Sequence, residues 1–225
     1  MRLILVRHGQ TSSNLVHALD TAAPGAPLTE LGQQQAEALV EALADQPVEA
    51  VYVSVLLRTQ QTAAPLARAR GLTLVVRDGV REIPAGELEM STERADGEQY
   101  MKVAFAWADG DLTVSVPGGP SGRSVLAAFD AVVAEAERNL SAPEGTALIV
   151  SHGAVSRTWV AARARNVDTG FASAHPLSNT GIVVLSGTSG TDGGDWQVET
   201  WEGEPVLGPD AEAQQDPTGS PVETA

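Results

Sequence analysis

Short apolar runs alternate along this chain with longer segments whose apolar positions recur every three or four residues. Leu3 to Val6, Ala50 to Val53, Leu72 to Val76 and Ala147 to Val150 are brief apolar-rich runs and read as buried strands. Gly181 to Leu185 and Gln197 to Thr200 read as later strands. Between them, Thr29 is placed to cap a helix carrying Leu31, Ala36, Leu39, Val40 and Leu43, with Leu28 as a hydrophobic staple and Pro47 beyond its end. Arg58 to Ala69 reads as a helix that Pro65 is expected to kink. Gln99 to Trp107 and Ala154 to Arg163 are two more helices. The clearest one follows Ser121, with Val125, Leu126, Phe129, Val132, Val133, Ala136 and Leu140 on one stripe. The stretches 15–27 and 78–93 and the run Pro117-Gly118-Gly119-Pro120 read as irregular. Strands and helices in alternation predict an α/β fold with helices on both faces of a mainly parallel sheet.

A length of 225 residues suits one such domain, placed at 1–201. From Glu202 onward the chain has four prolines, three glycines, six acids and no base. Such a composition buries too little apolar surface to fold alone, so 202–225 reads as a disordered acidic tail.

Charge and composition then narrow the partners. The formal net charge of −15 opposes binding to nucleic acid or anionic lipid. Cysteine is absent, which excludes disulfides and thiolate chemistry. The first apolar run, four residues before Arg7, is shorter than the roughly 7–15 of a signal peptide. No stretch approaches the ~20 apolar residues of a membrane span. A cytoplasmic protein acting on a small molecule is the expectation.

Against this acidic background, two matched segments stand out. Leu5-Val6-Arg7-His8-Gly9 and Ile149-Val150-Ser151-His152-Gly153 each place a His-Gly pair after a buried strand. In a parallel sheet, sites form beyond the carboxyl ends of strands, and both histidines belong there. If the two strands are neighbours, both imidazoles face one pocket. Arg58 follows the second strand at a helix start, where the helix dipole disfavours a cation unless an anion is nearby. Guanidinium groups grip phosphate through paired hydrogen bonds, so Arg7, Arg58, His8 and His152 form a candidate anion pocket.

These motifs fall in an order that resembles the histidine phosphatase superfamily, which includes cofactor-dependent phosphoglycerate mutases. The resemblance runs through Leu5 to Thr11 and Asn14, Pro27 to Gly32, Ser54 to Ala63, Arg81 to Glu89 and Ser151-His152-Gly153, spanning about residues 2–187. It implies a three-layer α/β/α sandwich like that of phosphoglycerate mutase. It further implies that His8 attacks phosphorus and that Arg7, Arg58 and His152 hold the phosphoryl oxygens. Asn14, Thr11 and Gly153 would also line the phosphate site. Glu82 would protonate the leaving alcohol and then take a proton from water. The family uses no metal, and hydrolysis needs no cofactor.

Two departures bear on the substrate. Where many relatives carry Pro-Gly-Gly-Glu-Ser, this chain has Pro117-Gly118-Gly119-Pro120-Ser121, and Met90 replaces a usual glycine. Residues 91–116, the expected lid, carry only Arg94 and Lys102 as bases. A mutase handling a bisphosphoglycerate would be expected to carry more cations there. A phosphatase for small phosphomonoesters is therefore the preferred reading. A phosphoglycerate mutase and a non-catalytic anion-binding module are the alternatives. His17 reads as exposed, His175 as structural, and Trp107, Trp159, Trp196 and Trp201 as packing residues. Asn179-Thr180 resembles a segment near the family's site but is assigned no chemical role.

Overall fold

A computed structural model describes residues 1–190 and 193–206. In chain order its elements are β1 (Arg2–Arg7), α1 (Ser12–Leu15), α2 (Glu30–Ala42), β2 (Val48–Val53), α3 (Leu57–Arg70), β3 (Leu74–Val76), α4 (Arg94–Ala108), α5 (Gly122–Arg138), β4 (Thr146–Ser151), α6 (Gly153–Arg163), α7 (Thr169–Ala174), β5 (Ile182–Thr188), β6 (Asp195–Trp201) and β7 (Glu204–Pro205). The strands form one mixed sheet in the order β3-β2-β4-β1-β5-β6-β7. The first four are mutually parallel; β5, β6 and β7 continue the sheet antiparallel.

The unbroken apolar runs now have a cause. Successive side chains of a strand point to opposite faces, so a strand covered on both sides must be apolar throughout. Ile4, Val6, Val51, Val53, Leu148 and Val150 pack with Leu39 and Leu43 of the α2 segment and Ala63 and Leu66 of α3. Leu3, Leu5, Tyr52, Ala147 and Ile149 pack on the other face, with residues of α4, α5 and α6. The result is the expected three-layer sandwich.

The caps at Thr29 and Ser121 form as expected, accepting from the backbone N–H of Gly32 and Ser124. Other details differ. Leu31 faces solvent at 48% exposure, because the buried stripe of α2 runs through Gly32, Ala36 and Leu39 instead. Pro65 lies inside a continuous α3, where it and Leu66 are buried, and packing outweighs the lost backbone bond. Helix α4 starts at Arg94, five residues before the apolar run that signals it, because its first turn faces outward.

The C-terminal boundary also needs correcting. Glu202 and Gly203 adopt positive φ and turn the chain, so that Glu204 and Pro205 pair with Trp201 and Thr200. The acidic stretch therefore begins inside the sheet. The disorder expected of the tail concerns residues 207–225, which lie outside the described residues. Among the described residues, no helix is long and apolar enough to cross a membrane.

Candidate active site

Strands β1 and β4 are adjacent and parallel, with Leu5 opposite Ile149 and Arg7 opposite Ser151. Their matched His-Gly ends therefore emerge side by side. The His8 and His152 rings lie 5.2 Å apart, edge to face. Both are buried, at 4% and 0% exposure. The glycine after His8 is required by packing: a Cβ on Gly9 would fall 2.6 Å from the carbonyl oxygen of Gly32. That close approach seats the helix α2 start against the His8 loop, with Thr29 N–H donating to the Gln10 carbonyl at 2.9 Å. Gly153 plays a similar part on the other strand end, where a Cβ would press on Arg7 Nε at 3.3 Å.

The two imidazoles are held by opposite nitrogens. His8 Nδ1 lies 2.8 Å from the Gly9 carbonyl, which can only accept, so Nδ1 carries the hydrogen and Nε2 is left with a lone pair. His152 is anchored through Nε2, 2.8 Å from Ser54 Oγ, and its Nδ1 is buried with no partner among the described residues. Ser54 is itself fixed: it accepts from Leu56 N–H at 3.1 Å and sits 3.0 Å from Thr59 Oγ1. Burial first, then the charge of Arg58, pushes both imidazoles well below the usual histidine range. Both rings are thus neutral at pH 7.

Three arginines surround them. Arg58 is buried at 3% exposure near the start of α3; its Nη2 donates to the Asp20 carbonyl at 2.8 Å, and its Nη1 lies 3.7 Å from the Asp20 carboxylate. Arg7 is tied by Nη1 to the Leu177 carbonyl at 2.5 Å. Arg7 Nε, Arg58 Nε and Arg58 Nη1 are buried without hydrogen-bond partners, as is His152 Nδ1. Buried guanidinium N–H groups without partners, in side chains that line the same cleft as His8, are costly unless an anion completes them. Arg157, the third, lies one helical turn past Gly153 and reaches the same cleft.

Glu82 sits at the beginning of α6. Its carboxylate accepts from Ala154 and Val155 N–H at 3.1 and 2.8 Å, and from Ile83 N–H at 3.0 Å. An acidic group there also suits the helix dipole. Thr11 and Asn14 cap α1 reciprocally, and Asn14 Oδ1 accepts from Asn179 Nδ2, which also donates to the His8 carbonyl at 3.0 Å. Asn179 therefore steadies the His8 loop, a part that its sequence position alone did not indicate.

Arg7, His8, Thr11, Asn14, Arg58, Glu82 and Gly153 all line one cleft of about 210 Å³, and His152 lies beneath it against His8. Asp20, Tyr100 and Arg157 line it too and were not anticipated. Arg157 had a legible signal, four residues after Gly153 on the same helical face. Asp20 and Tyr100 had none: one is in a loop, and the other reads as core in an apolar run. Tyr100 is indeed buried, donating to the Ile83 carbonyl at 2.7 Å. His17 is exposed and outside the cleft, and His175 stacks on Phe171 at 4.0 Å.

Residues 3–203 match the sequence pattern of the histidine phosphatase superfamily (branch 1). The chain is 37% identical over 215 residues to the PE-PGRS family protein PE_PGRS11 of Mycobacterium tuberculosis, covering 89% of this chain and 36% of that protein. It thus spans about a third of that relative's length. Over 161 residues it is 34% identical to a probable phosphoglycerate mutase, GpmB, of Yersinia pestis, covering 68% of this chain and 70% of the relative. A mycobacterial glucosyl-3-phosphoglycerate phosphatase, solved in complex with VO3, superimposes with a TM-score of 0.73 at 26% identity over 89% of this chain and 98% of that one. The α-ribazole phosphatase of Shigella flexneri shares the fold, with a TM-score of 0.67 at 22% identity over 92% of this chain and 98% of that one.

Proposed function

Because this chain belongs to branch 1 of the histidine phosphatase superfamily, we propose that it hydrolyses small phosphomonoesters in two displacements at His8. The observation that carries this reading is the set of buried, unpartnered nitrogens of Arg7, Arg58 and His152 in side chains that line or underlie the cleft of a neutral imidazole whose Nδ1 is held by the Gly9 carbonyl.

In the first step the Nε2 lone pair forms a bond to phosphorus as the P–O bond to the alcohol breaks. Glu82 supplies the proton that the departing oxygen takes. Arg7, Arg58 and the Nδ1–H of His152 stabilise the charge spread over the equatorial oxygens, where fixed donors in a dry site act most strongly. In the second step the oxygen of a water molecule bonds to phosphorus as Glu82 takes its proton and the P–N bond breaks, so that inorganic phosphate leaves and His8 is restored. Splitting the reaction in this way replaces one difficult step by two easier ones. Thr11, Asn14 and Gly153 complete the wall of the phosphate site. Arginines do the work that a metal does elsewhere, so the reading needs no metal ion.

Rapid quenching during turnover of a labelled phosphomonoester tests this. The expected result is label that is acid-labile and base-stable, located on His8. Label on serine, or none with a fast substrate, overturns it. Turnover of p-nitrophenyl phosphate without added bisphosphoglycerate separates the phosphatase from a mutase, and phosphate binding without turnover of any phosphoester would mark an anion-binding module.

A further inference from the structure

The loop between α7 and β5 holds two residues at the centre of the site. The Leu177 carbonyl accepts from Arg7 Nη1 at 2.5 Å. Asn179 Nδ2 donates to the His8 carbonyl at 3.0 Å, and Thr180 N–H donates to the Arg7 carbonyl at 3.0 Å. Pro176 and Leu177 line the cleft, whereas Ser178 to Gly181 line a separate groove of about 480 Å³. The loop is thus a wall between two cavities.

On the groove side it is tied by a residue from the turn after β6. The Glu202 carboxylate accepts from Ser178 N–H with one oxygen and from the Ser178 hydroxyl, at 3.1 Å, with the other. Charge-assisted bonds of this kind are stronger than neutral ones. Glu202 N–H also donates to the Ile182 carbonyl at 2.8 Å, so backbone and side chain both grip the entry to β5. The charge of Glu202 is felt at the site. Burial pushes the Arg7 guanidinium below its ordinary value, and the charges of Glu82 and then Glu202 oppose this.

The backbone at Glu202 shows that this side chain was not chosen for the turn. Glu202 and Gly203 are the central pair of a two-residue hairpin joining β6 to β7, with φ of 52° and 86°. Positive φ at both positions is the pattern of a type I′ turn, where Asn-Gly is favoured. Gly203 meets that requirement, and Glu202 is strained by it. Such strain persists where the surroundings impose it, and it gathers at functional positions. An asparagine would suit the turn better but would stop one methylene short of Ser178.

The geometry points to Glu202 as a positioning residue: its carboxylate fixes Ser178 and so holds the 177–180 wall, keeping the Arg7 guanidinium and the His8 loop in place for phosphate. The proposal rests on the phosphatase reading for the parts played by Arg7 and His8, but its test needs no turnover.

The test is Glu202→Asn, read by calorimetric binding of inorganic phosphate and by thermal melting. Asparagine relieves the turn, so the melting temperature is expected to hold or rise. The phosphate Kd is nonetheless expected to increase about three- to tenfold, the range of an ordinary hydrogen bond. Glu202→Gln keeps the length and one acceptor and is expected to stay within about twofold of the wild type. An unchanged Kd in Glu202→Asn, or a weaker one that comes only with a lower melting temperature, overturns the proposal. Equal weakening in both variants would trace the effect to charge at Arg7 rather than to position, and overturns it as well. If phosphate binding weakens as expected while no phosphoester is hydrolysed, the phosphatase reading falls and this one stands. If p-nitrophenyl phosphate is hydrolysed and Glu202→Asn binds phosphate as the wild type does, the reverse is true.

Discussion

His8 and His152 occupy nearly identical sequence contexts at the ends of neighbouring strands, yet they are held by opposite ring nitrogens. The Gly9 carbonyl takes the hydrogen of His8 Nδ1 and frees Nε2. Ser54 engages Nε2 of His152 and leaves Nδ1 facing inward. A carbonyl one residue along the chain and a hydroxyl from another strand end thus give the two rings, in the proposed mechanism, the separate parts of nucleophile and hydrogen-bond donor. The difference teaches that a histidine's role is set by what holds its second nitrogen, not by the motif around it.

The comparison breaks most directly by removing each ring in turn. His8→Ala is expected to lower kcat by at least about four orders of magnitude, as loss of a nucleophile does. His152→Ala is expected to cost about 10²–10³-fold, as loss of one donor to a transition-state oxygen does. Equal losses in steady-state assays would show that the two rings are interchangeable and the asymmetry meaningless.

Glu82→Gln sharpens the division of labour. It is expected to reduce kcat by about 10²–10⁴-fold for an alkyl phosphate but much less for p-nitrophenyl phosphate, whose leaving group needs little help from an acid. A loss independent of the leaving group would remove Glu82 from proton transfer. Ser54→Ala should cost about tenfold in kcat/KM by freeing His152 Nε2, while Ser54→Thr keeps the hydroxyl and most of the rate. Label on His8 should still form in both variants.

The smallest effect is in the pH response. Burial holds both imidazoles neutral in the folded protein below the usual histidine range, whereas in the unfolded chain they titrate near pH 6.5. Below about pH 6.5 the unfolded state therefore binds protons that the folded state does not, and stability falls as the pH drops; above it this contribution vanishes. Ring resonances of His8 and His152 should show neutral imidazole at pH 6.5 by NMR. Half-protonation there would contradict the burial of both.

What could be read from the pattern differs between the two ends of the sheet. In β1, β2 and β4 the apolar runs are complete because both faces are covered, so their places were plain. At β5 and β6 only part of each strand reads as apolar, and β7, a two-residue pair in an acidic stretch, carries no apolar signal at all. Its existence depends on a turn at Glu202 and Gly203 and on an edge strand already waiting for it.

The site divides along the same line. The residue types and order of Arg7, His8, Arg58, Glu82 and His152, and hence the class of chemistry, were determined by the linear sequence, because each follows a strand or lies in a motif of fixed spacing. The tertiary structure alone decided which nitrogen of each histidine is held, that Glu82 rests on the start of α6, and that Asp20 and Arg157 share the cleft. Those choices depend on partners far apart in the chain, such as Ser54 with His152 and Glu82 with Val155, which become neighbours only when β4 inserts between β1 and β2.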